Sequence, residues 1–416
     1  MTINSGEGSK LRILLLTHRF PYPPDKGDRI RSYHWLKALS TQHDVDVLTL
    51  TENAVPEPFL REVEKLARQV RVVTSSPKAK WWCAAKAFFT GRSLTESYLI
   101  PRGFHERFEE LLTAEKYDLC LAVCSSMGSI MLKDERVGRL IVDLVDVDSA
   151  KWRMYGLRHH GLQKWAFNRE SKKIARLERQ LAERAEVCVT VSRRECELLR
   201  AVAPGVSTLA IPNGVDTEYF EPEENQKNIE RIVFVGQMDY FPNVDAVKWF
   251  AENVWPAITN RHSELQWCIV GRNPTLAVRN LARLRNVSVT GEVSDVRPFL
   301  TSAISIAPLR LACGVQNKVL EAMSAGRPMV TTSEVAGGIE VTPQEEFLIA
   351  NDPSEWIGAI DLLLRDSEFC QKLGTRARRA MVDHFTWNTV ADQMLNCAAG
   401  DRSGESQAKP RLTIKS

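Results

Sequence analysis

Cys313-Gly-Val-Gln-Asn-Lys-Val-Leu-Glu-Ala-Met-Ser-Ala-Gly-Arg-Pro-Met-Val-Thr-Thr332, followed closely by Ala336-Gly-Gly-Ile-Glu340, decides how the rest of the chain is read. It sets out a glycine loop, a helix with one apolar face, a Gly-Arg-Pro stop, a β-branched strand and a second glycine turn. A helix that begins just after a glycine offers N–H groups and the positive end of its dipole to an anion. Glu321, further along that helix, supplies a carboxylate that can accept two hydrogen bonds from a sugar diol. These are the parts needed to hold a nucleotide diphosphate by its ribose and its phosphates.

Outward from this block, short β-branched runs alternate with helical patterns along the whole chain, which predicts α/β architecture with parallel sheets. Runs at 11–16, 45–50, 70–73, 119–123, 140–142 and 187–191 supply one doubly wound sheet. Runs at 232–235, 265–270, 287–289, 304–307, 329–332 and 347–349 supply a second. A length of 416 residues accommodates two such domains. The boundary is placed near Ile211-Pro-Asn-Gly-Val-Asp216 and the polar connector at 221–230. The expected division is 10–205, 206–382, a terminal helix at 383–399 crossing back toward the first domain, and a disordered polar tail at 400–416.

Composition narrows the class. With 44% hydrophobic and 26% charged residues the chain has the make-up of a globular protein. A net charge of +3 gives no reason to expect a nucleic-acid partner. The N-terminus has no apolar signal core, and no run reaches the 18 or so apolar residues of a membrane span. Nine scattered cysteines without a Cys-x-x-Cys pair read as reduced thiols. A cytoplasmic protein is expected.

Further motifs fall at strand ends, where α/β sheets place ligands. The first strand runs into Thr17-His-Arg-Phe-Pro-Tyr-Pro-Pro-Asp-Lys-Gly-Asp28, which is not a G-x-G-x-x-G fingerprint. Gly27 there lets a substrate approach the backbone; a plain proline-rich turn is the other reading. Val142-Asp-Leu-Val-Asp-Val-Asp-Ser149 carries three carboxylates. Asp146-Val-Asp148 permits a metal-binding reading, but acceptor contact or base duty for Asp146 is preferred. In the second half, Val235-Gly236, Val270-Gly-Arg272 and Gly291-Glu-Val293 repeat a strand-then-glycine pattern that suits phosphates.

Residues 151–186 form a strongly basic helical segment in which Trp152, Tyr155, Trp165 and Phe167 are interleaved. It reads either as a surface lying on an anionic leaflet or as a solvated face over a packed helix. Lys78-Ala-Lys-Trp-Trp-Cys-Ala-Ala-Lys-Ala-Phe-Phe-Thr-Gly-Arg92 is a second candidate of the same kind.

At these motifs the chain resembles glycosyltransferase family 4, the group 1 retaining glycosyltransferases of GT-B architecture. Lys318-Val-Leu-Glu-Ala-Met-Ser-Ala-Gly-Arg-Pro328, the glycine strand ends, Gly337-Gly-Ile-Glu340, Ile211-Pro-Asn-Gly-Val-Asp216 with Phe220, and Val191-Ser with Glu195 carry the resemblance. Gly236-Gln-Met-Asp-Tyr-Phe-Pro-Asn-Val-Asp-Ala246 with Asp146-Val-Asp-Ser-Ala-Lys-Trp152 is similar to exosortase/PEP-CTERM-associated exopolysaccharide sugar transferases.

The resemblance implies two Rossmann-like domains facing a deep cleft. It implies a nucleotide-sugar donor, UDP- or GDP-linked, on the second domain, and a glycan or polyprenyl-linked acceptor on the first. Donor contacts would come from Gly236, Gln237, Arg272, Gly314, Val315, Gln316 and Glu321, and acceptor contacts from Gly27, Asp28 and Asp148. Lys318, Asp146 and Asn243 would serve the chemistry, with no cofactor, no metal and no nucleic acid involved. Peripheral contact with the inner face of the cell membrane is the expected setting.

The chain departs from the family pattern twice: the first of two paired glutamates falls on Cys313, and Gly236–Asn243 lacks the usual Arg and Lys. Lys318 is then the nearest cation, with Arg272 and Arg310 in reserve. A nucleotide-sugar 2-epimerase and an inactive nucleotide-sugar-binding homologue are the alternative readings.

Overall fold

Thirteen strands are described in a computed structural model that covers residues 10–25, 27–75, 93, 100–132, 134–223, 229–312, 314–339, 341 and 343–400. They are β1 (Arg12–Thr17), β2 (Asp44–Thr51), β3 (Gln69–Thr74), β4 (Leu119–Val123), β5 (Arg139–Val145), β6 (Val187–Thr190), β7 (Thr208–Ala210), β8 (Arg231–Val235), β9 (Gln266–Val270), β10 (Val287–Val289), β11 (Ala303–Ala307), β12 (Met329–Thr331) and β13 (Leu348–Ile349). Cys313, Glu340 and the Lys78–Arg92 segment of the sequence reading lie outside the described residues.

The chain divides into two compact units. One holds residues up to Ile211 together with those from Ala391 onward; the other is Pro212–Val390. The first contains a seven-stranded sheet in the order β3-β2-β1-β4-β5-β6-β7, the second a six-stranded sheet in the order β10-β9-β8-β11-β12-β13. Every strand pairing is parallel. Both orders reverse direction once, between β1 and β4 and between β8 and β11, which makes both sheets doubly wound. This is the α/β architecture of two parallel sheets read from the sequence. All twelve anticipated strands are present; β7 was not foreseen, because Thr-Leu-Ala is too short to show a run.

Strands buried on both faces read as continuous apolar runs. Ile13, Leu14, Leu15 and Leu16 of β1 are fully buried, as are Ile232 and Phe234 of β8. The exceptions are informative. Asp143 in β5 and Arg31 on the Gly27–Leu39 helix are buried completely, with Arg31 Nη2 3.1 Å from Asp143 Oδ1 and Nε 2.5 Å from Oδ2. Trp35 Nε1 also donates to Asp143, and Arg31 Nη1 donates to the Ile211 carbonyl at 2.9 Å. One buried network thereby fixes helix, strand and chain exit.

One helical segment differs from its expected form. The basic segment is not one helix but two, Asp148–Arg158 and Gly161–Arg184, with Gly161 at φ +58° opening the second. The last described helix is Trp387–Ala399, preceded by Ser367–His384.

Candidate functional site

In the second unit, the carboxyl ends of β8 and β9 approach so closely that side chains are excluded. A Cβ on Gly271, whose φ is +148°, would lie 1.7 Å from the Gly236 carbonyl oxygen. One on Gly236 would lie 2.8 Å from Asn243 Nδ2 and 3.0 Å from Lys318 Nζ. Close packing therefore requires glycine at the end of β8, beside the β8/β11 switch point, the position at which doubly wound sheets receive ligands.

The Phe241–Asn253 helix delivers Asn243 into this space, buried, with its Nδ2 donating to the Gln237 carbonyl at 2.8 Å. The Asn317–Ser324 helix brings Lys318 to the same point. Lys318 Nζ donates to Asn243 Oδ1 at 2.6 Å and stands 4.4 Å from the centre of the Phe234 ring. The cation that the 236–243 loop lacks in sequence is thus set over that loop by another segment.

Glu321 follows one turn later on the helix, half-buried. Burial pulls the Lys318 ammonium down to about 7, with Glu321 opposing. Burial likewise pushes the Glu321 carboxyl up to about 7, with Lys318 opposing. The pair therefore changes net charge near neutrality.

Gly314, at φ +61°, forms the loop before this helix, and Gln316 occupies the N-cap without a side-chain capping bond. A Cβ on Gly338 would lie 2.4 Å from the Gly314 carbonyl oxygen, so the second glycine turn packs directly against the first loop. Asn213, quoted in the sequence only as part of a motif, donates through Nδ2 to Asn317 Oδ1 at 2.9 Å and steadies the start of the helix. The carbonyl of Arg272 accepts from the Met238 N–H at 2.9 Å, and Gln237 Nε2 donates to Asp239. Arg310 is committed elsewhere: it pairs with Asp245 at 2.6 and 3.1 Å.

The first unit gathers the other expected residues at the carboxyl ends of β1, β4 and β5. Gly27 and Asp28 begin the first helix, and Asp28 Oδ2 sits 3.1 Å from His18 Nε2 and 3.0 Å from Arg19 Nη1. Val145 ends β5 at φ +64°, unusual for a β-branched residue, and the pairing with β6 shifts register there. The chain then presents Asp146 and Asp148. Burial pushes Asp146 up to about 7, helped by Glu195 and opposed by Lys151. Asp148 is raised by burial too, against Lys151, His18 and a hydrogen bond from Ser125. Among the described residues no group of three or more His, Cys, Asp or Glu is placed to hold a metal ion.

The structure therefore brings Lys318, Asn243, Glu321, Gly236 and Gln237 together with the 314–316 loop, while Asp146, Asp148, Asp28 and Gly27 belong to the other unit. Sequence reasoning passed over His18, Cys124 and Asn213. Cys124 follows β4, and only the strand order reveals that β4 lies beside β1.

Residues 229–366 match the family model described as Glycosyl transferases group 1. Sheet order and structural neighbours together define a GT-B fold, and the stretch that matches the group 1 model lies within the second unit. Sucrose-phosphate synthase from Thermosynechococcus elongatus superposes with a TM-score of 0.70 at 19% identity, covering 94% of this chain and 99% of that one. HepE of Anabaena, solved in complex with UDP, superposes with a TM-score of 0.65 at 14% identity, covering 94% of this chain and 100% of that one. Among curated proteins, a subunit of the phosphatidylinositol N-acetylglucosaminyltransferase of Homo sapiens is 25% identical over 50% of this chain and 44% of its own length. The MMP alpha-(1->4)-mannosyltransferase of Mycolicibacterium hassiacum is 26% identical over 60% of each. The chain thus spans about half the length of the curated relatives it matches.

Proposed function

We propose that this protein is a glycosyltransferase that moves a sugar, with retained anomeric configuration, from a UDP- or GDP-linked donor to a glycan or polyprenyl-linked acceptor in exopolysaccharide assembly. The observation that carries the reading is Lys318, held by Asn243 beside bare Gly236 and one helical turn before Glu321. Negative charge grows on the departing diphosphate, and a fixed cation in a partly dehydrated site stabilises it there. Glu321 holds the ribose hydroxyls, and the 314–316 loop with the start of its helix receives the phosphates. HepE, a neighbour of the same fold, is described in complex with UDP and UDP-glucose, which supports a nucleotide-sugar donor here.

The acceptor belongs to the first unit, around Asp28, Asp146 and Asp148. Contact with an anionic membrane surface falls to the helical hairpin. Trp152, Tyr155 and Phe167 are used in packing its two helices, with Trp152 stacked on Phe167 at 5.7 Å. Leu157, Leu162 and Trp165 stay 71%, 85% and 54% exposed among Arg158 and Lys164, apolar tips beside cations. Among the described residues no helix is long and apolar enough to cross a membrane.

The test begins with thermal shifts against UDP- and GDP-sugars, because a ligand at a hundred times its Kd stabilises by about 2.7 kcal/mol. Turnover of the stabilising donor is then followed with and without a polyprenyl-linked glycan. Transfer only with acceptor supports the proposal. Conversion of the donor alone marks an epimerase, and binding without turnover marks an inactive homologue.

A further inference from the structure

Past the end of β5 the backbone of residues 145–149 is received by three carboxylates from three different elements. Asp143 Oδ1, on β5 itself, accepts from the Val145 N–H at 3.0 Å. Glu195 Oε2, on the Arg193–Val202 helix, accepts from the Val147 N–H at 2.7 Å. Glu178 Oε1, on the Gly161–Arg184 helix, accepts from the Ser149 N–H at 3.0 Å, and the Ser149 hydroxyl donates to its Oε2. Asp143 and Glu178 are fully buried and Glu195 nearly so. Every second N–H of the turn is thus held from inside the protein. Val147 and Ser149 are buried, whereas the residues between, Asp146 and Asp148, keep part of their surface exposed.

Closing the turn does not by itself call for charged acceptors. Ser192-Arg-Arg-Glu195 has the Ser-x-x-Glu spacing of a capping box, in which the glutamate serves its own helix. Ser192 does cap that helix, accepting from the Glu195 N–H at 3.3 Å, yet the Glu195 carboxylate reaches across to Val147. Neutral acceptors would satisfy the same N–H groups without setting negative charge beside Asp146 and Asp148. Glu195, Asp148, Lys151 and Arg31 face Asp146, and Lys151, His18 and Ser125 face Asp148. Asp148 and Glu195 also face Glu178. Like charges crowded in this way are characteristic of sites that do chemistry.

We propose that Glu195 and Glu178 are positioning residues, which hold the 145–149 turn so that Asp146 and Asp148 meet hydroxyl groups of the acceptor. Asp143 fixes the first N–H of the turn, where Val145 departs from strand geometry at φ +64°. Glu195 then acts on Asp146 through the next residue along, and Glu178 acts on Asp148 in the same way. Their effect on transfer rests on the acceptor reading above; the tethering of the turn does not.

The experiment combines hydrogen–deuterium exchange of the full chain, read on the peptide spanning 145–149, with transfer kinetics. Glu195→Ala and Glu178→Ala should each speed exchange there by at least about tenfold, while peptides of β1 and β8 exchange as in the wild type. Circular dichroism checks that each variant is folded. With the donor found by thermal shift, kcat/KM for the acceptor should fall on the order of 10²-fold, the cost of a misplacement of about 1 Å, with donor affinity unchanged. Glu195→Gln keeps an oxygen for Val147 and should recover most of that loss. Ionised Asp146 accepts the hydrogen bond of the hydroxyl, so kcat/KM falls as pH drops through about 7. Glu195→Gln removes a charge that helps to raise Asp146, and this acid limb should move to lower pH by at least about half a pH unit. A role in folding alone would leave the limb in place. Adding Glu195→Ala to Asp146→Asn should cost nothing further. Exchange at the wild-type rate in both alanine variants, an unmoved limb in Glu195→Gln, or losses that multiply in the double variant overturns the proposal. If the alanine variants do not fold, the limb of Glu195→Gln decides. No transfer by the wild type, or full transfer by Asp146→Asn, overturns the acceptor reading and with it the use of the turn, whatever the exchange shows.

Discussion

Lys318 Nζ and Asn243 Oδ1 are 2.6 Å apart, although 75 residues separate them in the chain. The contact joins the first helix of the second unit to the helix that carries Glu321, and sets a cation over a loop that has none of its own. Replacing Lys318 by Met should therefore lower kcat by about 10²–10³-fold with a smaller change in donor KM, the signature of a charge used in the transition state. Asn243→Ala should give a smaller loss, because the ammonium remains but is no longer held. Steady-state kinetics with the donor identified by thermal shift measures both.

Glu321→Gln keeps the shape of the side chain and removes its charge. Hydrogen bonds to a charged acceptor contribute about 1.5–3 kcal/mol, so donor affinity should fall by roughly 10–150-fold in calorimetry. Thermal stability without ligand should hold. Unchanged affinity would remove Glu321 from the site.

Donor binding should depend on pH through the Lys318–Glu321 pair. Burial lowers the Lys318 ammonium to about 7 and raises the Glu321 carboxyl to about 7, so the pair gains positive charge below that pH and negative charge above it. A bound diphosphate favours the protonated lysine, hence binding above pH 7 takes up a proton. Affinity should fall between pH 7 and 9 by at most about tenfold per unit. Calorimetry in buffers of different ionisation enthalpy detects that proton, and Lys318→Met should lose it.

Arg31→Met strands Asp143 in the core of the first unit. Breaking one half of a buried ion pair costs about 3–5 kcal/mol. The melting temperature should drop by about 10 °C. Adding Asp143→Leu should restore part of it, since Trp35 and the Ile211 carbonyl still lack a partner.

Membrane contact is checked by co-sedimentation with vesicles containing anionic lipid. Leu162→Glu with Trp165→Glu should weaken binding by at least about tenfold, and raised salt should weaken it in the wild type. Equal binding by wild type and variant would dismiss the hairpin tip as the contact.

Most of the fold was legible because its strands are buried on both faces. Runs such as Ile-Leu-Leu-Leu in β1 leave no other reading. The glycines of the proposed donor side were legible for a related reason: Gly236, Gly271 and Gly314 sit where close packing or a positive φ calls for glycine, and their spacing shows in one dimension. What stayed hidden depends on strand order. That Lys318 reaches Asn243, or that Glu195 reaches Val147, follows from which strands are neighbours, and the sequence lists strands without ordering them. The basic segment was legible only in part. Three of its four aromatics close a hairpin on themselves and Trp165 stays exposed, a division that helical spacing alone does not make.

Val145 offers a lesson for anyone wishing to harden this protein. A β-branched residue at φ +64° carries strain that glycine would relieve, so Val145→Gly is an obvious choice for thermostability. The same turn aims Asp146 and Asp148 out of β5, and a freer backbone would let both wander. On the acceptor reading proposed above, heat tolerance and turnover are set against each other at one peptide unit, and a directed-evolution campaign selecting for only the first would erode the second.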